Sequence, residues 1–200
     1  MERLFGRIMI KQSPSTLTAW QWDALHFSGE AGPGIWERRI IEHFVRRLSM
    51  TSTVLVLACG DGTAPRAISR LRPDLRWTGV EFSSAARDHA QKGFAWEDLL
   101  EMDLDVLPWD FRDKQFDAVI AGDILHYLKD PKAALEECIR IASRQVAVTF
   151  ALSPETAGRP GLWLFEPQDP WKLLAGTDLR VHHLREGKLL LAFAGTEGKK

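Results

Sequence analysis

The sequence predicts an α/β fold: a mostly parallel sheet with helices on both faces, ending in an antiparallel hairpin. Three observations predict it. Short apolar runs rich in β-branched residues alternate with helical segments along most of the chain. The first such run, in VLVLACGDGT (residues 54–63), breaks into a turn of small residues before a helix. The last runs, in LRVHHLREGKLLLAFAG, read as two strands joined by Arg-Glu-Gly-Lys. Five parallel strands and this hairpin make a seven-stranded sheet.

The elements follow in order. Residues 1–34 are irregular and end in the breakers GEAGPG. In IWERRIIEHFVRRL, Trp36, Ile40, Phe44 and Leu48 share one helical stripe, with Ile41 and Val45 beside it and most of the arginines off it. Thr53 to Leu57 is a buried parallel strand. Ala64 to Leu71 is a helix, with Thr63 as N-cap and Pro65 tolerated in the first turn. Arg76 to Phe82 is the second strand, and Ser83 caps a helix running through Ala90. Leu99 to Met102 is a weaker third strand, and Phe116 to Ala121 a fourth. Asp130-Pro131 opens a strong helix, with Leu135, Cys138 and Ile139 on its core face. Gln145 to Leu152 is the fifth strand. No repeat, low-complexity linker or second domain is seen, so residues 35–196 read as a single domain preceded by the 1–34 segment.

Bulk properties narrow the function. With 200 residues, 45% of them hydrophobic, the chain can bury one substantial core. A net charge of -1 gives no pull toward nucleic acid or an anionic membrane. Two distant cysteines, Cys59 and Cys138, make neither a disulfide framework nor a metal-ligand pattern and suit reduced thiols in a cytoplasmic protein. The first residues, MERLFGRIMIKQ, lack the apolar stretch of a signal peptide or a membrane span.

Gly60 and Gly62 let a ligand approach the backbone, since they lack Cβ and accept positive φ. Glu81, about 20 residues further on at a strand end, suits both hydroxyls of a ribose. Asp103, in LEMDLDVLPW, can accept from an adenine amino group; capping its own turn is the plainer alternative, for it and for Asp105. A dinucleotide is disfavoured. Pro65 stands where the third glycine of such a loop belongs, Asp61 would repel phosphates, and the final hairpin suits that fold poorly.

Taken together, these segments resemble the class I S-adenosylmethionine-dependent methyltransferases, of the methyltransferase type 11 kind, over roughly residues 35 to 195. VLVLACGDGT resembles the family's first motif, GVEFS its ribose-binding strand end, MDLDVLPW its adenine-binding segment, and FDAVIAGDILHYLKDPKAALEECIRI the segment after the fourth strand. DLDVLPWDFRDKQFDAVIAGDIL also resembles, more loosely, MetW-like proteins linked to methionine biosynthesis. The resemblance implies a Rossmann-like three-layer sandwich. It also implies S-adenosyl-L-methionine as cofactor and S-adenosyl-L-homocysteine as product, held by Ala58, Cys59, Gly60, Asp61, Gly62, Glu81, Phe82, Asp103, Leu104, Ala121 and Asp123. Two positions depart from the pattern. Val56 stands where the family often has an acid that helps hold the methionyl ammonium, and Ala58 where it often has glycine. The alanine methyl costs little if φ is negative there, and Asp123 is a candidate substitute for the acid.

His126 is the candidate general base, after the fourth strand and with an ordinary pKa near about 6.5; packing against the cofactor is its alternative role. His182 and His183 are adjacent on a strand and so point to opposite faces, which argues against a metal pair, and no metal is expected. The segment 1–34 is expected to act as a lid, with Trp20 and Trp22 walling a substrate pocket together with Trp163 of PETAGRPGLWLFEPQDPW; docking these aromatics on the core is the equal alternative. The Asn/Asp-Pro-Pro-aromatic signature of the family's amino-methylating nucleic-acid enzymes is absent, with Ala121-Gly122-Asp123-Ile124 in its place. The expected acceptor is therefore a small molecule, with neither nucleic acid nor membrane as partner and the chain a monomer or homodimer. The alternative is a non-catalytic S-adenosylmethionine-binding sensor or partner subunit.

Overall fold

The structure is a computed structural model, described over residues 42, 44–46, 48–50, 52–122, 124–151, 175, 180–186 and 189–195, with backbone alone at 126, 150–151 and 180–195. The expected lid (1–34), Trp20, Trp22, Asp123 and the loop bearing Trp163 lie outside these residues.

Strand β1 (Thr53–Leu57) is the middle one of the five parallel strands. It pairs in parallel with β2 (Arg76–Val80), Val54 opposite Trp77, and with β4 (Phe116–Ala121), Val56 opposite Ile120. β2 continues to β3 (Asp98–Leu100), and β4 to β5 (Ala142–Ala151), so the five parallel strands lie in the order β3-β2-β1-β4-β5. The chain winds outward from β1 through β2 and β3, then returns to start again at β4 on the other side. This boundary between β1 and β4 is the topological switch point of the sheet.

Side chains alternate across each strand and feed two separate apolar clusters. Leu55, Leu57, Val119 and Ala121 pack on one face with Leu135, Cys138 and Ile141 of helix α3 (Pro131–Ile141). Val54, Val56, Ala118 and Ile120 pack on the other with Ile68 of helix α1 (Thr63–Ser69) and with Phe44, Val45 and Leu48. Helix, sheet and helix make a three-layer, Rossmann-like α/β fold. The expected first helix is seen only in part: Glu42, Phe44 and Val45 are helical, while Trp36, Ile40 and Ile41 lie outside the described residues.

The local signals explain the helix boundaries. Ser83 caps helix α2 (Ser84–Gln91), its hydroxyl accepting from the Ala86 N–H. Asp130 caps α3 by accepting from the N–H groups of Lys132 and Ala133, with Pro131 at the first helical position. Thr63 does not act as the cap expected of it. It is the first helical residue of α1, Gly62 holds the cap position at φ 75°, and Asp61 Oδ1 accepts the Thr63 N–H at 2.9 Å. The positive φ required there selects the glycine, and the neighbouring aspartate does the capping.

Strand ends also shift. β2 stops at Val80, β3 spans Asp98–Leu100, and β5 begins at Ala142 directly after α3. Two further strands, β6 (Arg180–Glu186) and β7 (Leu189–Gly195), follow. β7 runs antiparallel beside β5, Val148 opposite Ala192, and beside β6, His183 opposite Ala192. Arg185 and Glu186, expected in the connecting turn, belong to β6.

Two polar devices fix the frame. At the amino ends of the strands, Thr53 N donates to Asp117 Oδ2 (3.0 Å), Asp117 N donates to Thr53 Oγ1 (3.0 Å), and Ser143 Oγ reaches Asp117 Oδ1 (3.4 Å). Arg72 donates to the carbonyls of Val45 (3.0 Å), Leu48 (2.9 Å) and Ser49 (2.9 Å), acceptors at the end of a helix. Asp74 grips the same guanidinium at 2.8 and 2.7 Å and raises its pKa.

Candidate functional site

The predicted site residues with described positions lie at or after the carboxyl ends of β1, β2, β3 and β4, on either side of the switch point. Ala58–Gly62 follow β1, Glu81 and Phe82 follow β2, Asp103 and Leu104 come after β3, and Ala121 ends β4. Open α/β sheets bind ligands in this crevice.

The turn after β1 is wound by three left-handed residues, Ala58 (φ 47°), Gly60 (φ 59°) and Gly62 (φ 75°). The condition under which the Ala58 methyl would cost little is not met: the turn needs a left-handed residue there, and alanine bears the strain. Gly62 has a second reason to be glycine. A Cβ on it would lie 3.2 Å from Ala90 Cα, so the start of α1 can press on α2 only without a side chain. Gly79 in β2 is similar: a Cβ there would come within 2.8 Å of Leu99 and Trp96 and 3.0 Å of the Cys59 sulfur. Cys59 thus lies over the sheet, buried, and burial together with the Glu81 carboxylate pushes its thiol pKa well up, so it is an inert neutral thiol.

Glu81 is the centre of the arrangement. It is only 6% exposed, and its two oxygens are used separately. Oε2 accepts the Gly60 N–H at 2.9 Å and Oε1 the Ser83 N–H at 2.8 Å, so one carboxylate ties the turn after β1 to the turn after β2. Cys59 N donates to Val80 O (2.9 Å) and Glu81 N to Leu100 O (3.0 Å), which knits in β3. Arg87 donates to the Glu81 carbonyl at 3.0 Å and pairs with Glu101 at 2.6 Å. Sequence reasoning missed Ser83 and Arg87 as supports, because Ser83 acts through a backbone N–H that any residue carries and Arg87 through a carbonyl and a side chain 14 residues away.

Asp103 is exposed, and its Oδ1 accepts the Asp105 N–H at 2.9 Å, the turn-capping role weighed as its alternative. Asp105 caps in its own way, accepting the Lys129 N–H at 2.8 Å. Leu104 is buried, and Ala121 lies fully inside the sheet. Val56 is also buried, packed among Ile68, Ile120 and Cys59, so this position is an apolar floor. His126 stands in a single 3-10 turn, Leu125–Tyr127, just after β4; its side chain, like all of Asp123, lies outside the described residues.

The donor set says what fits. The Gly60 and Thr63 N–H groups are already given to carboxylates, and Asp61 stands at the start of α1. A phosphate would meet the Asp61 and Glu81 carboxylates there, with these two donors already taken. A ligand with a ribose diol, a cationic centre and no phosphate fits, since each Glu81 oxygen retains a second lone pair for a hydroxyl. Among the described residues, no group of three or more His, Cys, Asp and Glu could hold a metal ion, and no helix is long and apolar enough to cross a membrane.

Fold and site therefore define a Rossmann-like α/β domain with a ligand crevice at its switch point, organised around Glu81. The family described as "Methyltransferase domain" matches residues 55–149, and over that stretch the chain is similar to S-adenosylmethionine-dependent methyltransferases. Among curated relatives, a demethylmenaquinone methyltransferase of Thermotoga maritima is 29% identical over 123 residues, 60% of this chain and 52% of its own length. An uncharacterized methyltransferase of Mycobacterium tuberculosis is 28% identical over 56% of each chain. The chain thus spans about half the length of the curated relatives it matches. Solved structures share the fold. A methyltransferase in complex with the Trm112 methyltransferase activator of Haloferax volcanii superposes with a TM-score of 0.72 at 18% identity, covering 88% of this chain and 97% of that one. The magnesium protoporphyrin IX methyltransferase of Synechocystis with bound S-adenosylhomocysteine gives 0.61 at 14%, covering 88% and 92%.

Proposed function

We propose that the protein transfers a methyl group from S-adenosylmethionine to a small-molecule acceptor. The observation that carries this reading is the Glu81 carboxylate, buried at the end of β2 and joined to the glycine turn, beside Asp61 at the start of α1. Glu81 would accept the ribose hydroxyls. Ala58–Gly62 would lie along the methionyl and ribose parts, with Phe82 beside the ribose and Asp103 and Leu104 at the adenine. Ala121 and Asp123 would close the side next to the methyl. The bound cofactor supplies an already activated methyl group and leaves as S-adenosylhomocysteine. The chain's own part is orientation, a contribution of several kcal/mol, up to about 7–11 in ideal cases. His126, after β4, is the candidate to take a proton from an acceptor that must lose one.

The acceptor would be enclosed by segment 1–34, with Trp20 and Trp22, and by the loop bearing Trp163. We further take the complete domain to be a seven-stranded sheet ending in the β6–β7 hairpin. The net charge of -1 supports a small acceptor over nucleic acid. A second reading is a cofactor-binding sensor or partner subunit. It draws on Val56, which leaves an apolar side chain where an ammonium would meet an acid, and on the activator complex among the structural relatives.

The deciding experiment pairs calorimetric titration of S-adenosylmethionine and S-adenosylhomocysteine with an assay for S-adenosylhomocysteine release over a panel of small-molecule acceptors. Binding with turnover is the expected result. Binding without turnover on any acceptor selects the sensor reading, and no binding of either ligand removes both.

A further inference from the structure

The segment between β3 and β4 has almost no regular structure, yet Leu104 is 7% and Trp109 3% exposed. Its order comes from α3. Arg140 donates to the carbonyls of Phe111 (2.7 Å) and Trp109 (3.0 Å) and to Asp113 (2.9 Å). Its fork also meets both oxygens of Glu137, at 2.7 and 2.8 Å. Glu137 Oε2 in turn accepts the Trp109 N–H at 2.9 Å, so both polar groups of the Trp109 backbone are held by one helix face. The Trp109 indole then passes the restraint on: Nε1 donates to the Leu104 carbonyl at 3.2 Å, inside the core. From α3 to Leu104 the path is an unbroken series of hydrogen bonds.

We propose that Arg140, Glu137 and Trp109 are positioning residues that fix the Asp103–Leu104 segment against the purine and thereby set the preference for adenine over other bases. The inference rests on the reading that Asp103 and Leu104 meet the adenine. An exocyclic amine is told from a carbonyl only if the group that reads it cannot shift to suit either. Asp103 is exposed, and its turn is held from two sides, by Asp105 accepting the Lys129 N–H (2.8 Å) and by Leu104 accepting from the Trp109 indole (3.2 Å); the second is the tie that reaches α3. Tryptophan suits the task because its ring fills the core while its single N–H reaches one acceptor. Phenylalanine in its place keeps an aromatic ring and deletes the donor.

The test is calorimetric titration of the full chain, wild type, Trp109→Phe and Arg140→Lys, with S-adenosylhomocysteine and with S-inosylhomocysteine, in which a carbonyl replaces the amine. Thermal melting reports on folding. Wild type is expected to prefer the adenosyl ligand. In Trp109→Phe that preference should shrink about tenfold, the scale of one lost hydrogen bond, mainly through weaker S-adenosylhomocysteine binding. Arg140→Lys, which keeps the charge and loses the fork, should shrink it in the same direction and gives the answer should Trp109→Phe fail to fold. An unchanged preference, or an equal loss for both ligands, overturns the inference while leaving the cofactor reading intact. If wild type binds neither ligand, the cofactor reading itself falls and the inference with it.

Discussion

Ala58 carries a methyl group into left-handed backbone, at φ 47°, where an L-residue is strained by roughly 1–2 kcal/mol. Ala58→Gly should relieve that strain and raise stability by about 1 kcal/mol, read as a melting point higher by about 2–4 °C. A lower melting point would show that the methyl earns more from packing than it loses in strain. Glu81 makes a sharper case. Its carboxylate satisfies two backbone donors before any ligand arrives, so Glu81→Ala should destabilise the free chain by about 2–3 kcal/mol in chemical denaturation. A glutamate that served only a ribose would leave the unliganded chain unchanged. The acid at this strand end was legible in the sequence from its distance to the glycine turn. Its grip on Gly60 and Ser83 was not, because both partners are main-chain groups. Nor could the sign of φ at Ala58 be read, since alanine ordinarily avoids that region.

At the scale of elements, boundaries were legible where side chains set them. β4 spans the residues its apolar run predicted, and α3 opens at Asp130-Pro131 as the cap and proline required. Where backbone geometry decided instead, as at Thr63, residue type misled. The ties between elements were illegible for the same reason: Arg72 reaches back more than 20 residues to carbonyls that no sequence pattern marks. Arg72→Ala should free those carbonyls and cost about 2 kcal/mol, with faster amide exchange over residues 44–48; unchanged exchange there would remove its role as a cap. The Glu137–Arg140 pair gives a pH effect. Hydrogen bonds from Arg140, then from the Trp109 N–H, lower the Glu137 pKa. A carboxylate held below its unfolded value, about 4.3, contributes stability above that pH and loses it as the solution becomes more acid than the folded pKa. Melting points measured from pH 7 down to 3 should therefore fall less steeply in Glu137→Gln than in wild type. Parallel curves would mean that the pair adds nothing to the acid limb.

In the whole molecule, the alternation of strand and helix and the two-sided burial of β1 follow from the sequence pattern, since apolar runs buried on both faces have few other places to go. The close approaches are a different matter. Gly79→Ala would force a methyl to within 2.8 Å of Leu99 and Trp96, and overpacking of this kind costs about 1–3 kcal/mol. A denaturation curve that matches wild type would show instead that the layer over β2 can give way. The strand order carries a further consequence, for the timing of synthesis. β1 leaves the ribosome before either neighbour, and its tie to Asp117 spans 64 residues. Until β4 follows, one whole edge of the most apolar strand has no companion, and the glycine turn beyond it is wound on half a foundation. A nascent chain halted before residue 116 is thus a natural client for a chaperone, and a ready template for aggregation.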